Sequence, residues 1–345
     1  MKHLKSILFV LIFVSTFGLS ATKQLVPYSI AFYNIENLFD TLNTNTTYDL
    51  EYSPQGDKRW DTQKYISKLD NMAHVISLLG RDITPLGPAI IGLAEVENRS
   101  VLEDLVRRER LIGSNLQIVH YDSPDRRGVD VALLYNPLLF TVTSSSAHAL
   151  TIPDRPDFRS RDVLLVSGLM DNEKFHILVN HWPSRRGGER ASRHLRVAAA
   201  QLNRHLHDSI RIADPESKVI IMGDLNDDPR DVSVRITLDA KARQQDVPKG
   251  GLFNPFASIH TRGVGTLAYQ GQWNLFDQII ISDNLLGNNR STFKFWKAEI
   301  FSRDFMITQE GRFRGYPLRT HSGNVFLNGY SDHFPVLIYL VKEFE

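Results

Sequence analysis

The 345-residue chain contains no cysteine. That absence excludes disulfides, thiolate metal centres, a cysteine nucleophile and a lipid-modified N-terminal cysteine. An excess of charge is also missing. Forty Lys and Arg against 39 Asp and Glu leave a net charge of +1, so composition gives no general attraction to nucleic acid, and any polyanion site must come from a local patch. There is no internal repeat and no low-complexity linker. Long apolar runs are lacking too: the one at Ile7–Phe17 is well short of the ~20 residues that a membrane span needs. With Lys2, His3 and Lys5 before it and Gly18-Leu19-Ser20 after it, residues 1–20 have the form of a secretory signal peptide. Its removal takes two lysines and no carboxylate, leaving a mature chain of net charge −1. The expectation is a secreted or periplasmic protein without a stable membrane span, stabilised by a large core rather than by covalent staples.

What is present is ordinary globular composition, 42% hydrophobic and 23% charged. Length alone would suggest about two domains of roughly 150 residues. The motifs described below run from Asn34 to His333, so a single domain over residues 21–345, built from both ends of the chain, is expected instead. Eleven short runs rich in Val, Ile and Leu and bounded by Gly, Pro, Asn or Asp read as strands. They are Tyr28–Tyr33, Ala89–Ala94, Leu116–Tyr121, Val129–Tyr135, Leu139–Ala147, Val163–Leu169, Lys174–Asn180, Lys218–Met222, Gln278–Ile281, Lys294–Ile300 and Val336–Leu340. Tyr65, Leu69, Met72, Ile76 and Leu79 recur at helical spacing within Asp61–Leu79. A second helix is expected over Ser100–Leu111, with Ser100 and Glu103 as a capping box, and a third over Glu189–Asp208. Residues 41–56 and 244–265 read as loops; the first holds Asn45-Thr46-Thr47, a weak glycosylation pattern.

Several polar groups end or follow an apolar run. Glu95 follows Ile90–Ala94, and a carboxylate at the end of a buried strand is costly unless it meets a cation or hydrogen-bond donors. Asn34 closes the first strand, with Glu36 two residues on. Gly223-Asp224-Leu225-Asn226 follows the apolar run Val219–Met222, and residues two apart on an extended chain point to the same side. His181 ends the strand before it, Asp277 precedes Gln278–Ile281, and Asp332-His333-Phe334-Pro335 precedes the last strand. Arg185, Arg186, Arg190, Arg193 and Arg196, five arginines within twelve residues, follow His181, enough for a local positive field in a neutral chain.

In number, order and residue types this set resembles the endonuclease/exonuclease/phosphatase family, over roughly residues 28–342. That family includes pancreatic-type deoxyribonucleases, abasic-site endonucleases, neutral sphingomyelinases and inositol polyphosphate 5-phosphatases. The resemblance implies a four-layer α/β/β/α sandwich, two packed mixed sheets flanked by helices. It implies Glu95 as principal ligand of a divalent metal, Mg²⁺ or alternatively Mn²⁺ or Ca²⁺, with Asn34 and Asp332 beside it. Glu36 stands where some relatives carry a further acidic group near the metal, whereas Glu97 falls off the ligand position and reads as a surface or helix-start residue. Asp224 would orient and deprotonate the attacking water, Asn226 would bond water or phosphate, and Asp277 would hold His333 for work on the phosphate oxygens. His181 would be a second acid/base or phosphate-binding group, with Asp122 as its candidate partner. Arg161 matches a phosphate-contacting arginine, and Arg185 and Arg186 join it as substrate-binding candidates. Asp130, interrupting an apolar strand, either faces the crevice or pairs with an arginine, and Arg196 either joins the arginine patch or anchors the loop through a buried ion pair.

The resemblance leaves the substrate open. The 5-phosphatase branch carries a cysteine near the position of Asp277, which this chain lacks. An export signal does not suit abasic-site repair. The expected reading is a secreted, monomeric, metal-dependent nuclease acting on DNA or RNA. The alternatives are a sphingomyelinase-like phospholipid phosphodiesterase, for which no aromatic docking hairpin is evident although Phe253, Phe256, Trp273 and Trp296 could form one, a phosphatase, and a catalytically silent binding module.

Overall fold

The computed structural model describes residues 24–42 and 50–344. The expected signal peptide and the Asn45 acceptor lie outside them. Numbered along the chain, the strands form two large sheets. One runs in the order β14 (Lys294–Ile300), β17 (Val336–Phe344), β1 (Gln24–Leu38), β2 (Ile90–Val96), β4 (Asp130–Tyr135), β3 (Gln117–His120). The other runs β5 (Thr141–His148), β6 (Val163–Met170), β7 (Glu173–His181), β8 (Lys218–Asp224), β13 (Asp277–Ser282), β10 (Leu252–Phe253), β9 (Ala240–Lys241). Two hairpins stand apart, β11 (Leu267–Tyr269) with β12 (Gln272–Asn274), and β15 (His321–Ser322) with β16 (Val325–Phe326). All eleven expected strands are found.

Central strands are apolar on both faces because both faces are covered. Ile30 and Phe32 of β1 meet Ile177, Val179, Ile220 and Met222 between the sheets, while Ala31 and Tyr33 turn outward to α1 (Thr62–Leu78) and α2 (Arg99–Val106). On β8, Ile220 and Met222 face the other sheet, and Val219 and Ile221 face α4 (Glu189–Ala213). The alternation is the period of two of an extended chain. Helix, sheet, sheet and helix thus make the expected four layers.

Some local expectations are corrected. Asn98, not Ser100, caps α2, its side chain accepting from the Val101 N–H. Glu103 pairs with Arg99 and Arg107 instead of closing a capping box. The helix stops at Val106, and one further turn, α3 (Glu109–Ile112), follows. Residues 244–265 hold β10 and α5 (Phe256–Thr261), elements too short to leave a periodic signature.

Topology gathers the polar motifs at one end. β1 and β2 are parallel, as are β7 and β8, so Asn34, Glu95, His181 and Asp224 all sit at carboxyl ends. β13 is antiparallel to β8 and β17 to β1, so their amino ends arrive there too: Asp277 pairs with Asp224, and Val336 pairs with Phe32 three residues after His333. Loops at the carboxyl ends of such strands are where a rigid sheet can aim side chains.

The two sheets approach closely at Gly92 of β2. A Cβ built there would lie 2.5 Å from Met222 Sδ and 3.2 Å from Val179 Cγ1, both in the other sheet. Valine is otherwise the better strand former, so the sign of Gly92→Val is informative. It should lower the urea midpoint by the equivalent of roughly 1–3 kcal/mol through overpacking; an unchanged or raised midpoint would contradict the close approach.

Candidate active site

The backbone at this end is unusual. Among the described residues, eleven non-glycine residues have positive φ, and four of them are Glu36 (50°), Asn37 (53°), Glu95 (65°) and Asn226 (50°). The register of β1 against β2 shifts between Asn34 and Leu38, and that of β2 against β4 shifts between Ala94 and Val96. Bulges of this kind re-aim a side chain out of the pleat. Left-handed backbone for non-glycine residues costs on the order of 1 kcal/mol each and collects at functional sites.

Three carboxylates share one side of the crevice. Glu95 accepts the Asn37 N–H at 3.0 Å, and its other oxygen lies 3.5 Å from Arg127 Nη2 and 3.8 Å from His181 Nε2. Glu36 accepts the Thr320 N–H at 2.6 Å. Arg319 spans Glu36, at 3.4 Å, and Asp332, at 2.6 Å. Beneath them Lys68 of α1, 1% exposed, donates to Thr320 Oγ1 and the Tyr330 carbonyl at 2.6 Å each. Burial and the neighbouring Asp332 charge push Glu36 up to about 7, although Lys68 and Arg319 oppose this. Burial brings Lys68 down to about 8. For Asp332, burial works upward, but His333, Arg319 and Lys68 outweigh it and hold the carboxyl below its ordinary value. Oxygen donors suit a hard divalent cation, so Glu36, Glu95 and Asp332 could hold one, with the Asn34 amide alongside, although their oxygens are not gathered within the spacing that Asp224, Asp277 and His333 share.

The second group is a proton-handling set. His333 Nδ1 is 2.6 Å from Asp277 Oδ2, and both are buried. Burial disfavours the imidazolium, but Asp277, Asp332 and Asp224 overcome it and raise His333 well above the usual histidine range. Asp224 Oδ2 accepts from Asn34 Nδ2 at 3.1 Å and stands 4.0 Å from His333 Nε2 and 3.6 Å from His181 Nε2. Its Oδ1 accepts the Asn226 N–H at 2.9 Å. Burial raises Asp224 to about 7, with Asp277 adding to the effect and His333 opposing it. Asp224, Asp277 and His333 also have metal-ligand spacing. A histidine held as imidazolium by its carboxylate has no lone pair to give, so acid/base chemistry is the better use of this trio.

His181 differs from its expected setting. Its Nδ1 is buried without a hydrogen-bond partner. Asp122, 89% exposed by its side chain, instead stands 3.9 Å from His120. Burial, with Arg161 and Arg127 adding to it, lowers His181 well below its ordinary pKa, which favours the neutral imidazole. Asp130 is neither in the crevice nor on an arginine. It bonds His120 Nε2 at 3.0 Å and the Ser123 N–H at 2.8 Å, tying down the loop that carries Arg126 and Arg127. Glu97 is buried, not on the surface, and accepts the Asp40 N–H at 2.6 Å.

Two of the arginine candidates already give guanidinium hydrogen bonds to internal acceptors. Arg161 is buried and donates to the carbonyls of His181 and Trp182 and to Asp125. Arg185 donates to the Asn226 carbonyl, Asp227 and Asp231, and lies over the Phe276 ring at 4.5 Å. Both position the strand ends that carry His181 and Asp224. Arg196 does form the buried ion pair, its Nε 2.6 Å from Asp227. Asn226 Nδ2 is likewise used internally, on the Trp182 carbonyl at 3.0 Å. Arg186 remains exposed. It lines a cleft of about 650 Å³ with Arg126, Arg127, Arg155, Arg159 and Arg161, beside the His181 strand end.

Lys68 and Arg319 escaped the sequence reading. The one signal for Lys68 is its position among the apolar residues of α1, between Tyr65 and Leu69; Arg319 has none.

The chain was compared with known proteins. A family model described as Endonuclease/Exonuclease/phosphatase family matches residues 29–342. No curated protein sequence matches. Among solved structures, D. rerio TDP2 complexed with single strand DNA product is 13% identical, with a TM-score of 0.54, and the match covers 91% of this chain and 98% of that one. A Bacteroides thetaiotaomicron protein described by the same family name is 17% identical (TM-score 0.53, coverage 93% and 97%). ANGEL2, described as a 2',3'-cyclic phosphatase, is 14% identical (TM-score 0.57, coverage 92% and 97%).

The raised pKa of Glu36 has a stability consequence. Its folded value, about 7, exceeds its ordinary value of 4.5, so between these the folded chain holds the extra proton and stability falls as pH rises. In chelator, the wild type should therefore lose stability relative to Glu36→Gln on going from about pH 5 to about pH 8. Mg²⁺ should reverse that loss. Thermal melts of both proteins at the two pH values check this, and a pH-independent difference would contradict it.

Proposed function

The chain belongs to the endonuclease/exonuclease/phosphatase family, whose members are metal-dependent phosphoric-ester hydrolases, and on that premise we propose that it hydrolyses phosphodiester bonds of nucleic acid. The observation that carries the substrate choice is the arginine-lined cleft adjoining the acidic crevice, joined to it through Arg127, which contacts Glu95. Phosphates along a chain are what such a cleft would take, since guanidinium forks match phosphate oxygens. That a TDP2 structure of the same fold holds a single strand DNA product supports this reading.

The roles proposed are these. Glu36, Glu95 and Asp332 hold a divalent cation, Mg²⁺ or Mn²⁺, which supplies Lewis acidity toward the phosphate. Asp224, with a pKa close to neutrality, takes the proton of the attacking water. Asn34 holds the Asp224 carboxylate and Asn226 shapes the turn that presents it. His333, kept charged by Asp277, stabilises the phosphate oxygens and protonates the leaving group, and neutral His181 donates a hydrogen bond opposite it. We also propose that residues 21–345 act as one monomeric catalytic domain, exported after loss of residues 1–20. Among the described residues no helix is long and apolar enough to cross a membrane.

The test is hydrolysis of DNA, RNA, sphingomyelin vesicles and bis-nitrophenyl phosphate by the mature protein. Nucleic-acid cleavage should stop in chelator and return with Mg²⁺ or Mn²⁺, and Glu95→Gln should abolish it with the fold intact. Asp224→Asn and His333→Ala should each lower turnover by about 10²–10⁴-fold. Indifference to DNA and RNA combined with turnover of sphingomyelin would overturn the substrate reading.

The cleft adds a salt-dependent prediction. Binding to duplex DNA weakens with salt by a slope of about −0.9 per phosphate neutralised. Replacing the exposed arginines 126, 155, 159 and 186 with alanine should flatten the slope and raise KM for DNA, while bis-nitrophenyl phosphate hydrolysis persists. An unchanged salt slope would exclude the cleft from substrate binding.

A further inference from the structure

A second cavity, about 560 Å³, opens on the other flank of the crevice and reaches Asp332 and Arg319. Its walls carry Tyr269, Phe313, Tyr316 and Leu327, with Arg312 and Gln270 among them. Tyr269 is 64% exposed and Phe313 51%. Isolated exposed apolar side chains are commonplace. Two large rings left open to water in one cavity, which reaches Asp332, are not.

Both rings are held by built structure. Tyr269 ends β11 and is followed by Gln270 and Gly271, whose φ values of 49° and 82° are those of a tight two-residue hairpin turn. Its strand partner is Gln272, and the next residue, Trp273, pairs with Ala268 and stacks on Phe334, next to His333, with centroids 6.1 Å apart. Trp273 also meets Tyr316 edge to face at 5.7 Å, and Tyr316 meets Phe313 at 5.9 Å. The segment carrying Phe313 is closed on itself by the bonds from Thr308 N to Tyr316 O and from Gly315 N to Thr308 O. A chain of aromatic contacts therefore runs from the residue beside His333 to the cavity wall.

From this placement we infer that the cavity is the subsite for an unpaired base of a single-stranded nucleic acid, on a nucleotide adjoining the scissile phosphate. The inference rests on the nucleic-acid reading above and narrows it to single strands. The occupant must be tethered near the phosphate, because the inner end of the cavity is Asp332. It must offer a flat face to the rings and polar edges to Arg312, Arg319 and Gln270, which describes a nucleobase. A lipid acyl chain fits poorly, since charged guanidinium groups would be desolvated against it. The hairpin tip reads Tyr269-Gln270-Gly271-Gln272, one ring among polar residues, which is no membrane-inserting surface. A base in a duplex cannot leave its stack without paying for it, so the subsite favours single strands. The arginine cleft on the opposite flank then takes phosphates farther along the chain.

The experiment uses single-stranded oligonucleotides with one cleavable phosphodiester, the others being charged phosphorothioates. A reduced abasic residue is placed on either side of the cleavable bond. Removing the base on one side should lower the wild-type kcat/KM by about tenfold, the scale of one base–aromatic stack. Tyr269→Ala/Phe313→Ala should lose a similar factor on the intact strand and be insensitive to base removal. Pairing the strand into a duplex should slow the wild type and not the double variant. If the wild type cleaves both abasic strands like the intact one, the subsite is refuted while the nuclease reading stands. Equal sensitivity of wild type and double variant to base removal also refutes it. If the wild type cleaves no oligonucleotide, and its action on sphingomyelin vesicles requires Tyr269 and Phe313, both readings are overturned.

Discussion

Carboxylates buried beside one another are held at a price, and this molecule holds several within one crevice. Glu36, Asp224 and Asp277 are shielded from water, Glu95 keeps only 12% of its side chain exposed, and Asp332 is half-buried. Isolated buried charges are expensive, and the cost falls only when opposite charge or hydrogen-bond donors are at hand. The remaining features at this end of the sandwich answer that requirement. His333 neutralises Asp277, Arg319 spans Glu36 and Asp332, and Lys68 sits fully enclosed below them. On the Glu36 side burial, with the Asp332 charge added to it, outweighs Lys68 and Arg319, and that carboxyl is pushed up to about 7. A divalent cation would complete the balance.

The strain in the backbone belongs to the same account. Glu36, Asn37, Glu95 and Asn226 adopt a conformation that non-glycine residues avoid. An unstrained pleat would carry the Glu95 side chain alternately toward the helices or the opposite sheet. The bulges at 34–38 and 94–96 instead turn carboxylates out of the strand ends and into the crevice. Two sheets packed face to face make this affordable, since the rest of each strand is paired and buried. The crevice is therefore specified by the sheets, while its chemistry is specified by the last residues of each strand.

The order of strands was legible because apolar runs bounded by turn residues mark strands whatever their neighbours. Asn34, Glu95, Asp224, Asp277 and His333 could be read as a set because each follows or precedes such a run. Helix ends were less legible: Asn98 and Ser100 are both competent caps, and only the observed hydrogen bond decides between them. Arginine roles were the least legible. Arg161 and Arg185 look in sequence like phosphate ligands, yet buried carbonyls and Asp125, Asp227 and Asp231 claim them, through contacts between residues 20 to 46 positions apart. Arg155 and Arg159 carried no signal until the fold brought them beside Arg126 and Arg186. A charge pattern shows that a patch exists, not which of its members are already committed.

The central claim is that the crevice divides its work, with a cation on Glu36, Glu95 and Asp332 and proton transfer on Asp224, Asp277 and His333. Anomalous diffraction from crystals soaked in Mn²⁺ tests this division most directly. The account predicts an anomalous peak among the oxygens of Glu36, Glu95 and Asp332, with the Asp277–His333 hydrogen bond intact. A peak bound instead by Asp224, Asp277 and His333, with Glu95 uncoordinated, would contradict it.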